Sequence, residues 1–369
     1  MGEMTAAVRW GILGTGTIAH SFAEGLRAVP DARLVGIGSR THATAASFAA
    51  RFGIPHAYGS YRELAEAENI DVIYIATPNI RHREDCLLCI DAGKAVLCEK
   101  PFAMNAVDAQ EIVDRARGRG VFFMEAMWMR FIPLIQKAKE ILWRGDIGTP
   151  CLLLADFGYP IDRNPKNRFL DPNLGGGSLL DRGIYPLSLA WFLFGAPVEI
   201  AGQAAIGPTG VDEQSVVLLR YKDGLQAVLT STMNACATNR ATIIGENGQI
   251  EIDAPFFRTE RIRVTKFSIP MARPGRDRSP TAAADSQLIR VLRGVKRSAF
   301  RMVGRRPGQV VYSSRLDGNG FNYEAAEVGR CLREGALESS VMEGAESIAI
   351  IKAMDTLRGQ WGIVYPNDS

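Results

Sequence analysis

Two short stretches of the chain carry residue types that suit nucleotide binding and proton chemistry. The first is a G-x-G-x-x-A pattern formed by Gly14, Gly16 and Ala19, which follows an apolar run and opens a helical pattern. Glycines at these positions permit a tight turn and let backbone N–H groups approach a pyrophosphate at the helix N-terminus. We therefore expect a dinucleotide-binding loop whose contact residues are Gly14, Thr15, Gly16, Thr17 and Ile18.

The second stretch, "CEKP", places Lys100 at the end of the short apolar run "KAVLC". Pro101 prevents that run from continuing as a strand, because proline has no backbone N–H to donate. In a doubly wound sheet, ligands bind outside the carboxyl ends of the strands. The position of Lys100 therefore predicts that its ammonium group points into the cleft that holds the cofactor.

The elements that would position these residues alternate over residues 1–130. Five apolar runs are separated by helical patterns, which predicts βαβ units and a doubly wound parallel sheet of the Rossmann type. Residues 131–369 instead contain alternating stretches with tight turns at 222–224 and 246–248, which predict hairpins. The expected fold is thus α/β, with an N-terminal NADP-binding Rossmann domain (1–130) and a C-terminal α+β substrate-binding and oligomerisation domain (131–369) whose mostly antiparallel sheet is open-faced.

The choice of dinucleotide depends on the residues after the second strand. NAD-binding chains usually carry an Asp or Glu there for the ribose hydroxyls, whereas this chain has Ser39 and Arg40. A guanidinium at that position can pair with the extra phosphate of NADP, a charge-assisted contact worth roughly 1.5–3 kcal/mol. The sequence therefore favours NADP over NAD, with Ser39 and Arg40 as cofactor contacts.

Four motifs in chain order carry a resemblance to a known family. They are "GILGTGTIA" at the nucleotide loop, "ATPNIRH" at residues 76–82, "EKP" at residues 99–101 and "GGGSLLDRGIYPL" at residues 175–187. From residue 8 almost to its C-terminus, the chain resembles the glucose–fructose oxidoreductase/inositol dehydrogenase family (Gfo/Idh/MocA). Within that family, "AGKAVLCEKP" and "MEAMWMRFIP" are similar to the branch of dimeric dihydrodiol dehydrogenases, which also oxidise D-xylose with NADP.

The resemblance implies roles for several residues. Lys100 corresponds to the catalytic lysine, with Asp181 and Tyr185 as its partners, although many family members carry His in place of Tyr185. The further cofactor contacts that the resemblance implies are Thr77, Asn79, His82 and Glu99, together with Lys100 itself. The candidate contacts on the substrate side are Arg130 and Arg168. No metal is expected, because the four histidines of the chain have no ligand spacing.

Oxidation of an alcohol also requires a group that accepts the hydroxyl proton. The pKa of the Tyr185 phenol would have to fall from about 10 to near 7, which requires roughly 4 kcal/mol. A lysine ammonium about 4 Å away supplies around 4 kcal/mol at an effective dielectric constant near 20. Tyr185 beside Lys100 is therefore adequate as a base, with Asp181 orienting either group. Lys100 as the proton acceptor fits the sequence equally well.

These features predict an oxidoreductase that transfers a hydride between NADP and a hydroxyl-bearing carbon of a sugar or vicinal diol. One alternative is an NAD-linked inositol or other polyol dehydrogenase. Another is a non-catalytic regulator that binds NADP with the same fold. Loss of the lysine or its partners would indicate the regulator, so the presence of Lys100, Asp181 and Tyr185 favours the enzyme.

Composition limits the compartment and the partners. With 47% apolar and 22% charged residues and no apolar run long enough to span a bilayer, the sequence predicts a globular cytoplasmic protein. Cys86 and Cys89 fall at two apolar positions of one helical pattern, which favours buried thiols over a redox or zinc site. Members of the family form dimers or larger assemblies through the open face of the second sheet, so the resemblance implies a homodimer or higher homo-oligomer.

Residues 271–306 form a basic insert, with ten Arg and Lys residues against two Asp. Its second half has apolar residues at helical spacing, which predicts an amphipathic helix with a basic face. Such a helix most often packs on its own protein or across a dimer. Binding to an anionic membrane or an acidic partner is less favoured, and binding to nucleic acid is the least favoured of the three.

Overall fold

The computed structural model describes residues 7–164, 167–267 and 308–366. Its first sheet has six parallel strands in the order β3-β2-β1-β4-β5-β6. The strands are β1 Val8–Leu13, β2 Ala32–Gly38, β3 His56–Tyr58, β4 Val72–Ile75, β5 Ala95–Glu99 and β6 Phe123–Ala126. The helices between them are α1 Thr17–Leu26, α2 His42–Phe52, α3 Tyr61–Glu66, α4 His82–Asp91 and α5 Ala106–Arg119. The strand order reverses between β1 and β4, the kind of switch point at which such sheets bind ligands.

The parallel sheet is confirmed, with one strand more than the sequence predicts. The additional strand is β3, which has three residues and no fully buried side chain, so no apolar run marks it. The helix ends follow local rules. Asn105 caps the start of α5 by accepting the backbone N–H of Asp108, and α5 ends at Gly120, which has a φ of 65°.

The second sheet has eight strands in the order β14-β13-β12-β11-β7-β10-β9-β8. They are β7 Pro150–Gly158, β8 Glu199–Ile206, β9 Asp212–Arg220, β10 Gln226–Thr232, β11 Ala241–Gly245, β12 Gly248–Ile252, β13 Arg261–Lys266 and β14 Gln309–Ser313. Neighbouring strands are antiparallel except β7 and β10, which are parallel. The two expected hairpins are present as β9–β10 and β11–β12, so the mostly antiparallel sheet is confirmed.

One face of the second sheet is covered and the other is open. The covering helices are α6 Pro133–Trp143, α7 Ile184–Phe194 and α9 Gly344–Trp361. Along β9, buried residues alternate with exposed ones, the pattern of a sheet that packs on one side only. On the open face, Leu218 is 50% exposed, and the register places it in one row with Val228 and Leu154. This row is an apolar surface that the described residues leave uncovered.

The last two helices, α8 Phe321–Arg333 and α9, return to the first sheet. Before α8, Asn319 Nδ2 donates to the Ser21 carbonyl of α1 at 2.7 Å. At the start of α5, the backbone N–H of Ala106 donates to the Asp355 carboxylate of α9 at 2.7 Å. The C-terminal helices therefore contact the helices that flank the first sheet, while α9 also packs on the second sheet. A domain boundary near residue 130 stays a prediction.

The pair Cys86 and Cys89 lies in the core, as the helical pattern predicts. Both are free thiols of α4 that are 0% exposed, and burial raises the pKa of Cys89 well above its usual value. The basic insert at 271–306 lies outside the described residues. Within the described ranges, no helix combines the length and the apolar character that crossing a bilayer requires.

Arg130 is a fully buried cation that joins three segments. Its Nε donates to Ser188 Oγ at 2.8 Å and its Nη2 donates to the Ser188 carbonyl at 3.1 Å, both in α7. Its Nη1 reaches the Val341 carbonyl at 3.2 Å, and its Nη2 pairs with Glu346 of α9 at 2.9 Å. The sequence predicts a substrate contact for Arg130, but the side chain is 0% exposed and these contacts engage its donors. This geometry corrects the prediction in favour of a structural role.

Replacing Arg130 tests that role. Arg130→Met should lower the free energy of unfolding by about 3 kcal/mol, because it leaves a carboxylate and two carbonyl groups without a donor in a buried region. Urea unfolding followed by circular dichroism measures the loss. The control is Arg144→Met, which removes ion pairs with Glu140 and Asp146 that are exposed and worth less than about 1 kcal/mol. Equally small losses for the two variants would contradict the structural role.

Candidate active site

The loop between β1 and α1 has the geometry that a pyrophosphate needs. Gly14 has a φ of 104°, and a Cβ there would lie 3.0 Å from the Ala76 carbonyl oxygen. A Cβ on the exposed Gly16 would meet nothing closer than 4.0 Å, so a ligand can approach its backbone. Among the described residues no side chain caps the start of α1, and its first turn has no acidic residue. The other predicted contacts lie between Gly14 and the first turn of α1: Thr15, Thr17 and Ile18. Free N–H groups beside an open glycine fit the pyrophosphate of a dinucleotide.

Ser39 and Arg40 follow β2, the strand next to β1. Ser39 is buried, and its backbone N–H donates to the Tyr58 carbonyl at 3.2 Å. Arg40 is exposed and lies close enough to Tyr61 for its charge to act on the phenol. Burial raises the pKa of Tyr61, and the positive charges of Arg40 and Arg81 partly offset that rise. Arg40 is thus an exposed guanidinium at the carboxyl end of β2, and its contact with a cofactor stays a prediction.

Thr77 and Asn79 belong to the loop after β4. Thr77 Oγ1 donates to the buried carboxylate of Asp85 at 2.7 Å, which holds the loop against α4. Asn79 Nδ2 donates to the Gly175 carbonyl at 3.3 Å. Gly175 belongs to a second loop, Gly175–Gly177 (the glycine loop), which follows β7 in the chain. Asn79 therefore links the cofactor side of the site to the glycine loop.

His82, the third predicted contact from this region, is a buried link. Its Nδ1 lies 2.7 Å from the Pro101 carbonyl, and its Nε2 lies 2.8 Å from the Thr77 carbonyl. The ring is 0% exposed, and burial lowers the pKa of His82 although both carbonyl contacts act in the opposite direction. His82 thus joins the loop after β4 to the loop after β5, and its predicted role toward a cofactor stays a prediction.

Lys100, Asp181 and Tyr185 meet in one cluster. Lys100 Nζ donates to the Asp181 carbonyl at 2.7 Å and to Asp181 Oδ1 at 3.2 Å. The same Nζ lies 4.9 Å from the centroid of the Tyr185 ring. A π-helical turn, Leu179–Gly183, carries Asp181 and leads into α7, whose second residue is Tyr185. The side chains of Lys100 and Asp181 are 12% and 21% exposed, so the cluster is shielded but remains accessible to a small ligand.

The charges in this cluster stabilise one another. Burial alone would lower the pKa of Lys100, but its neighbours together, with the Asp181 carboxylate foremost, outweigh burial, and the pKa is raised. Burial would likewise raise the pKa of Asp181, but Lys100, Arg168 and Arg182 outweigh it, and the pKa is lowered. Arg168 therefore lies near Asp181, with its guanidinium 4.0 Å from the centroid of the Phe169 ring. At neutral pH the cluster holds an ammonium group and a carboxylate.

Tyr185 keeps its proton in this environment. Burial raises the pKa of Tyr185 to about 12, and the Lys100 charge offsets only part of that rise. The bond that Trp128 Nε1 donates to the Tyr185 hydroxyl at 3.0 Å lowers the pKa too, but burial still outweighs both effects. The expectation that a neighbouring lysine makes Tyr185 a base near pH 7 is therefore wrong for the cofactor-free protein. It omits the effect of burial, which the sequence does not reveal.

Glu99 lies beneath Lys100 and supports it. Its Oε2 accepts the backbone N–H of Lys100 at 3.2 Å, and its Oε1 accepts the Tyr74 hydroxyl. Burial raises the pKa of Glu99, whose residue is 6% exposed. A second carboxyl group, Glu324 of α8, is 0% exposed, and burial followed by the charge of Glu99 raises its pKa well above the usual value. The two buried acids thus lie close enough to interact, and Glu99 is the one shown to contact Lys100.

Sequence reasoning missed an aromatic wall around Tyr185. The rings of Phe157 and Phe257 stack at 4.5 Å, and their centroids lie 5.2 and 5.4 Å from that of Tyr185. Trp128 stacks on Phe321 of α8 at 4.9 Å. These rings come from separate elements, so no local pattern connects them. The one available signal is that Trp128 falls within a stretch on which the family resemblance rests.

The carboxyl ends of the parallel strands thus carry the parts of a dinucleotide site in order. The glycine turn follows β1, Arg40 follows β2, Thr77 follows β4 and Lys100 follows β5. The open turn and the uncapped helix fit a pyrophosphate, and the Lys100 cluster fits the reactive end of the cofactor. Within the described ranges, no group of three or more His, Cys, Asp and Glu side chains is arranged to hold a metal ion.

Comparisons with known proteins agree with this arrangement. Residues 8–127 match an oxidoreductase family with an NAD-binding Rossmann fold, and residues 135–251 match the GFO/IDH/MocA C-terminal domain. The chain is similar to the trans-1,2-dihydrobenzene-1,2-diol dehydrogenases of Mus musculus, at 35% identity over 98% of this chain and 99% of the relative. It is also similar to that of Danio rerio, at 36% identity over 98% of this chain and 99% of the relative.

Two solved structures share the fold. One is an aldose-aldose oxidoreductase from Caulobacter crescentus, with a TM-score of 0.78 and 21% identity over 95% of this chain and 96% of that one. The other is a 3-ketoreductase from Actinomadura kijaniata in complex with NADP and TDP-benzene, with a TM-score of 0.76 and 23% identity over 96% and 97% of the two chains. The two domain matches and the relatives at more than a third identity together show that this chain belongs to the Gfo/Idh/MocA family of NAD(P)-binding oxidoreductases.

Proposed function

We propose that this chain is an NADP-dependent dehydrogenase that oxidises a hydroxyl-bearing carbon of a vicinal diol or a pyranose sugar. The observation that carries the proposal is the position of Lys100, bonded to Asp181 and facing the Tyr185 ring at the carboxyl end of β5. The full-length relatives named trans-1,2-dihydrobenzene-1,2-diol dehydrogenases support a diol. The resemblance to sugar-oxidising members of the family supports a pyranose.

The chain's own residues supply proton handling and orientation. A bound nicotinamide would supply the acceptor for the hydride of the substrate carbon. Lys100 Nζ, held by Asp181, is placed to donate a hydrogen bond to the substrate oxygen and to stabilise negative charge on it. The Tyr185 hydroxyl accepts a bond from Trp128, which leaves its own proton free to point at the same oxygen. These two groups, with Glu99 supporting Lys100, would fix the carbinol group in one orientation.

The protonation states have a consequence for the direction of reaction. Lys100 and Tyr185 both have raised pKa values, so both hold their protons near neutral pH. Reduction of a carbonyl uses these protonated forms directly as proton donors. Oxidation requires one of the two groups to release its proton first, so its rate should increase with pH. The proton acceptor is thus either Tyr185 or Lys100.

The remaining contacts are assigned by position. The aromatic wall of Trp128, Phe157 and Phe257 suits the flat face of a dihydrodiol ring or the apolar face of a sugar. Arg168, which lies near Asp181, is proposed to contact a polar group of the substrate. Arg40 is proposed to pair with the 2′-phosphate of NADP, which makes NAD the less favoured cofactor. An NAD-linked polyol dehydrogenase and a non-catalytic NADP-binding regulator are the alternatives that the experiments below separate.

We further propose that two copies pair through the open face of the second sheet. The apolar row there contains the exposed Leu154 and Leu218 and the half-buried Val228, and covering it removes apolar area from water. The six free thiols, four of them buried, suit the reducing cytoplasm.

The dimer proposal predicts the effect of a charge on that row. Leu218→Glu should convert the dimer to a monomer at micromolar concentration, because a carboxylate would be buried without a partner. Light scattering coupled to size-exclusion chromatography measures the mass. Leu337→Glu, an equally exposed leucine outside the sheet at 44% exposure, is the control and should leave the mass unchanged. A monomeric parent protein would contradict the proposal.

The cofactor assignment predicts a selective loss of affinity. Arg40→Ala should raise the Kd for NADP⁺ by about ten- to hundred-fold, because a charge-assisted contact worth roughly 1.5–3 kcal/mol is lost. The Kd for NAD⁺ should change by less than about threefold, since NAD⁺ has no 2′-phosphate for the guanidinium to contact. Isothermal titration calorimetry measures both constants, with Arg62→Ala of α3 as the exposed control. Equal losses for the two cofactors would place Arg40 elsewhere on the nucleotide.

The catalytic assignment predicts that Tyr185→Phe lowers kcat by about 10²- to 10⁴-fold while the Kd for NADP⁺ stays the same, because only the proton-handling hydroxyl is removed. NADP⁺ reduction is followed by absorbance with a trans-dihydrodiol, aldopyranoses and inositols, and NAD⁺ is run in parallel. The control is Tyr312→Phe, on β14 at the far edge of the second sheet.

The pH profile of the same assay identifies the proton acceptor. The oxidation rate of the parent protein should increase from pH 7 towards the alkaline side, because the acceptor has a pKa above neutrality. If Tyr185→Phe removes that increase, Tyr185 is the acceptor, and if the increase remains, Lys100 is. No reduction of NADP⁺ by any of these substrates, combined with tight NADP binding, would favour the regulator.

A further inference from the structure

We infer that Asp212 is a positioning residue that sets where Asp181 and Tyr185 lie. It holds the backbone at the start of the π-helical turn that carries Asp181 and leads to Tyr185. Asp212 is the first residue of β9 and is 0% exposed. Its Oδ2 accepts the backbone N–H of Leu179 at 2.7 Å. Leu179 begins the turn Leu179–Gly183, so this anchor is two residues from Asp181.

The glycine loop is shaped to admit this carboxylate. Gly177 has a φ of 118°, and a Cβ there would lie 2.6 Å from Asp212 Oδ1 and 2.7 Å from the Tyr365 hydroxyl oxygen. Any side chain at position 177 would therefore push the carboxylate away from Leu179. The glycine at this position is explained by the approach of Asp212 and Tyr365 as much as by its backbone conformation.

Successive residues of this segment are held by different elements. The Tyr365 hydroxyl, from the C-terminal segment, donates to the Gly176 carbonyl at 2.5 Å. Ser178 Oγ donates to Ser231 Oγ of β10 at 2.9 Å. Asp212 of β9 then holds Leu179. Of these three anchors, Asp212 alone binds within the π-helical turn that carries Asp181, where it holds the first residue while Lys100 Nζ donates to the Asp181 carbonyl.

The local chemistry indicates that Asp212 is kept for this placement and not for stability. Its Oδ1 has no hydrogen-bond partner among the described residues. Burial raises the pKa of Asp212 to about 7, although the N–H donors and then the charge of Arg358 lower it. The unfolded pKa is near 3.9, so the folded protein loses stability as the pH rises from about 4 to 7, and the loss is complete above that range. A neutral side chain of the same shape would avoid that loss.

Asp212→Asn is the variant that separates the two roles, and its use in an activity assay depends on the proposed function. It keeps the shape but provides one uncharged acceptor in place of a carboxylate. We expect kcat to fall by about 10- to 100-fold, because a small misplacement of reacting groups costs that much. KM and the Kd for NADP⁺ should stay within about threefold, since Asp212 touches neither ligand. Asp253→Asn, in the ion pairs with Arg240 and Arg263 of the second sheet, is the control and should leave kcat unchanged.

Two further readouts do not depend on turnover. The Leu179 amide should exchange its hydrogen faster in Asp212→Asn, as measured by mass spectrometry of peptides covering residues 176–185. The melting temperature of the variant should exceed that of the parent at pH 8, and the difference should disappear at pH 5, where the parent carboxyl is protonated. If no substrate is found, these two readouts still test the inference while the proposed function alone fails. Unchanged exchange, or a lower melting temperature at pH 8 with weaker NADP binding, would overturn the positioning role.

Discussion

The contact between Lys100 and Asp181 joins the two sheets at the candidate active site, and the geometry of the site depends on it. Lys100 follows β5 of the parallel sheet, whereas Asp181 lies on the turn that packs against β9 and β10 of the antiparallel sheet. Each charge would be unfavourable in this shielded position without the other. Their bond at 3.2 Å, reinforced by the Asp181 carbonyl at 2.7 Å, keeps both ionised and fixes the distance between the two loops.

The surrounding polar groups hold those two loops from both sides. On the side of the first sheet, His82 connects the loop after β4 to Pro101, and Glu99 accepts the backbone N–H of Lys100. On the side of the second sheet, Asp212 holds the start of the turn that carries Asp181. Asn79 is a further link between the two sides, because its Nδ2 donates to the Gly175 carbonyl. Contacts from both sheets therefore set the distance between the two loops.

Much of the nucleotide half of the site could be predicted from the sequence, because its signals are local. The glycine pattern at Gly14 and Gly16 and the residue after β2 lie within a few positions of a strand end, where parallel-sheet geometry determines what they face. The catalytic half could not be derived in this way. Asp181 and Tyr185 became candidates through the family resemblance, and Trp128 contacts Tyr185 from 57 positions away in the chain. No spacing rule connects residues that meet only through the packing of two sheets.

Burial explains the two predictions that the structure corrects. Arg130 stands close in sequence to the aromatic residues of the site, but its guanidinium turns inward to Ser188 and Glu346. The charge of Lys100 alone would lower the pKa of Tyr185 towards neutrality, yet burial raises it to about 12. Both corrections depend on how much water surrounds a side chain, which the residue types alone do not specify.

We propose that the cluster around Lys100 orients a hydroxyl-bearing carbon from which a hydride passes directly to NADP⁺. The most direct test is to incubate the protein with NADP⁺ and a trans-dihydrodiol or aldopyranose that carries deuterium on the reacting carbon. Mass spectrometry of the reduced cofactor then shows whether the label has moved. We expect the parent protein to form reduced cofactor that carries one deuterium per molecule. Lys100→Met should form much less of this deuterated cofactor. Reduced cofactor without deuterium, or equal label with both proteins, would contradict the proposal.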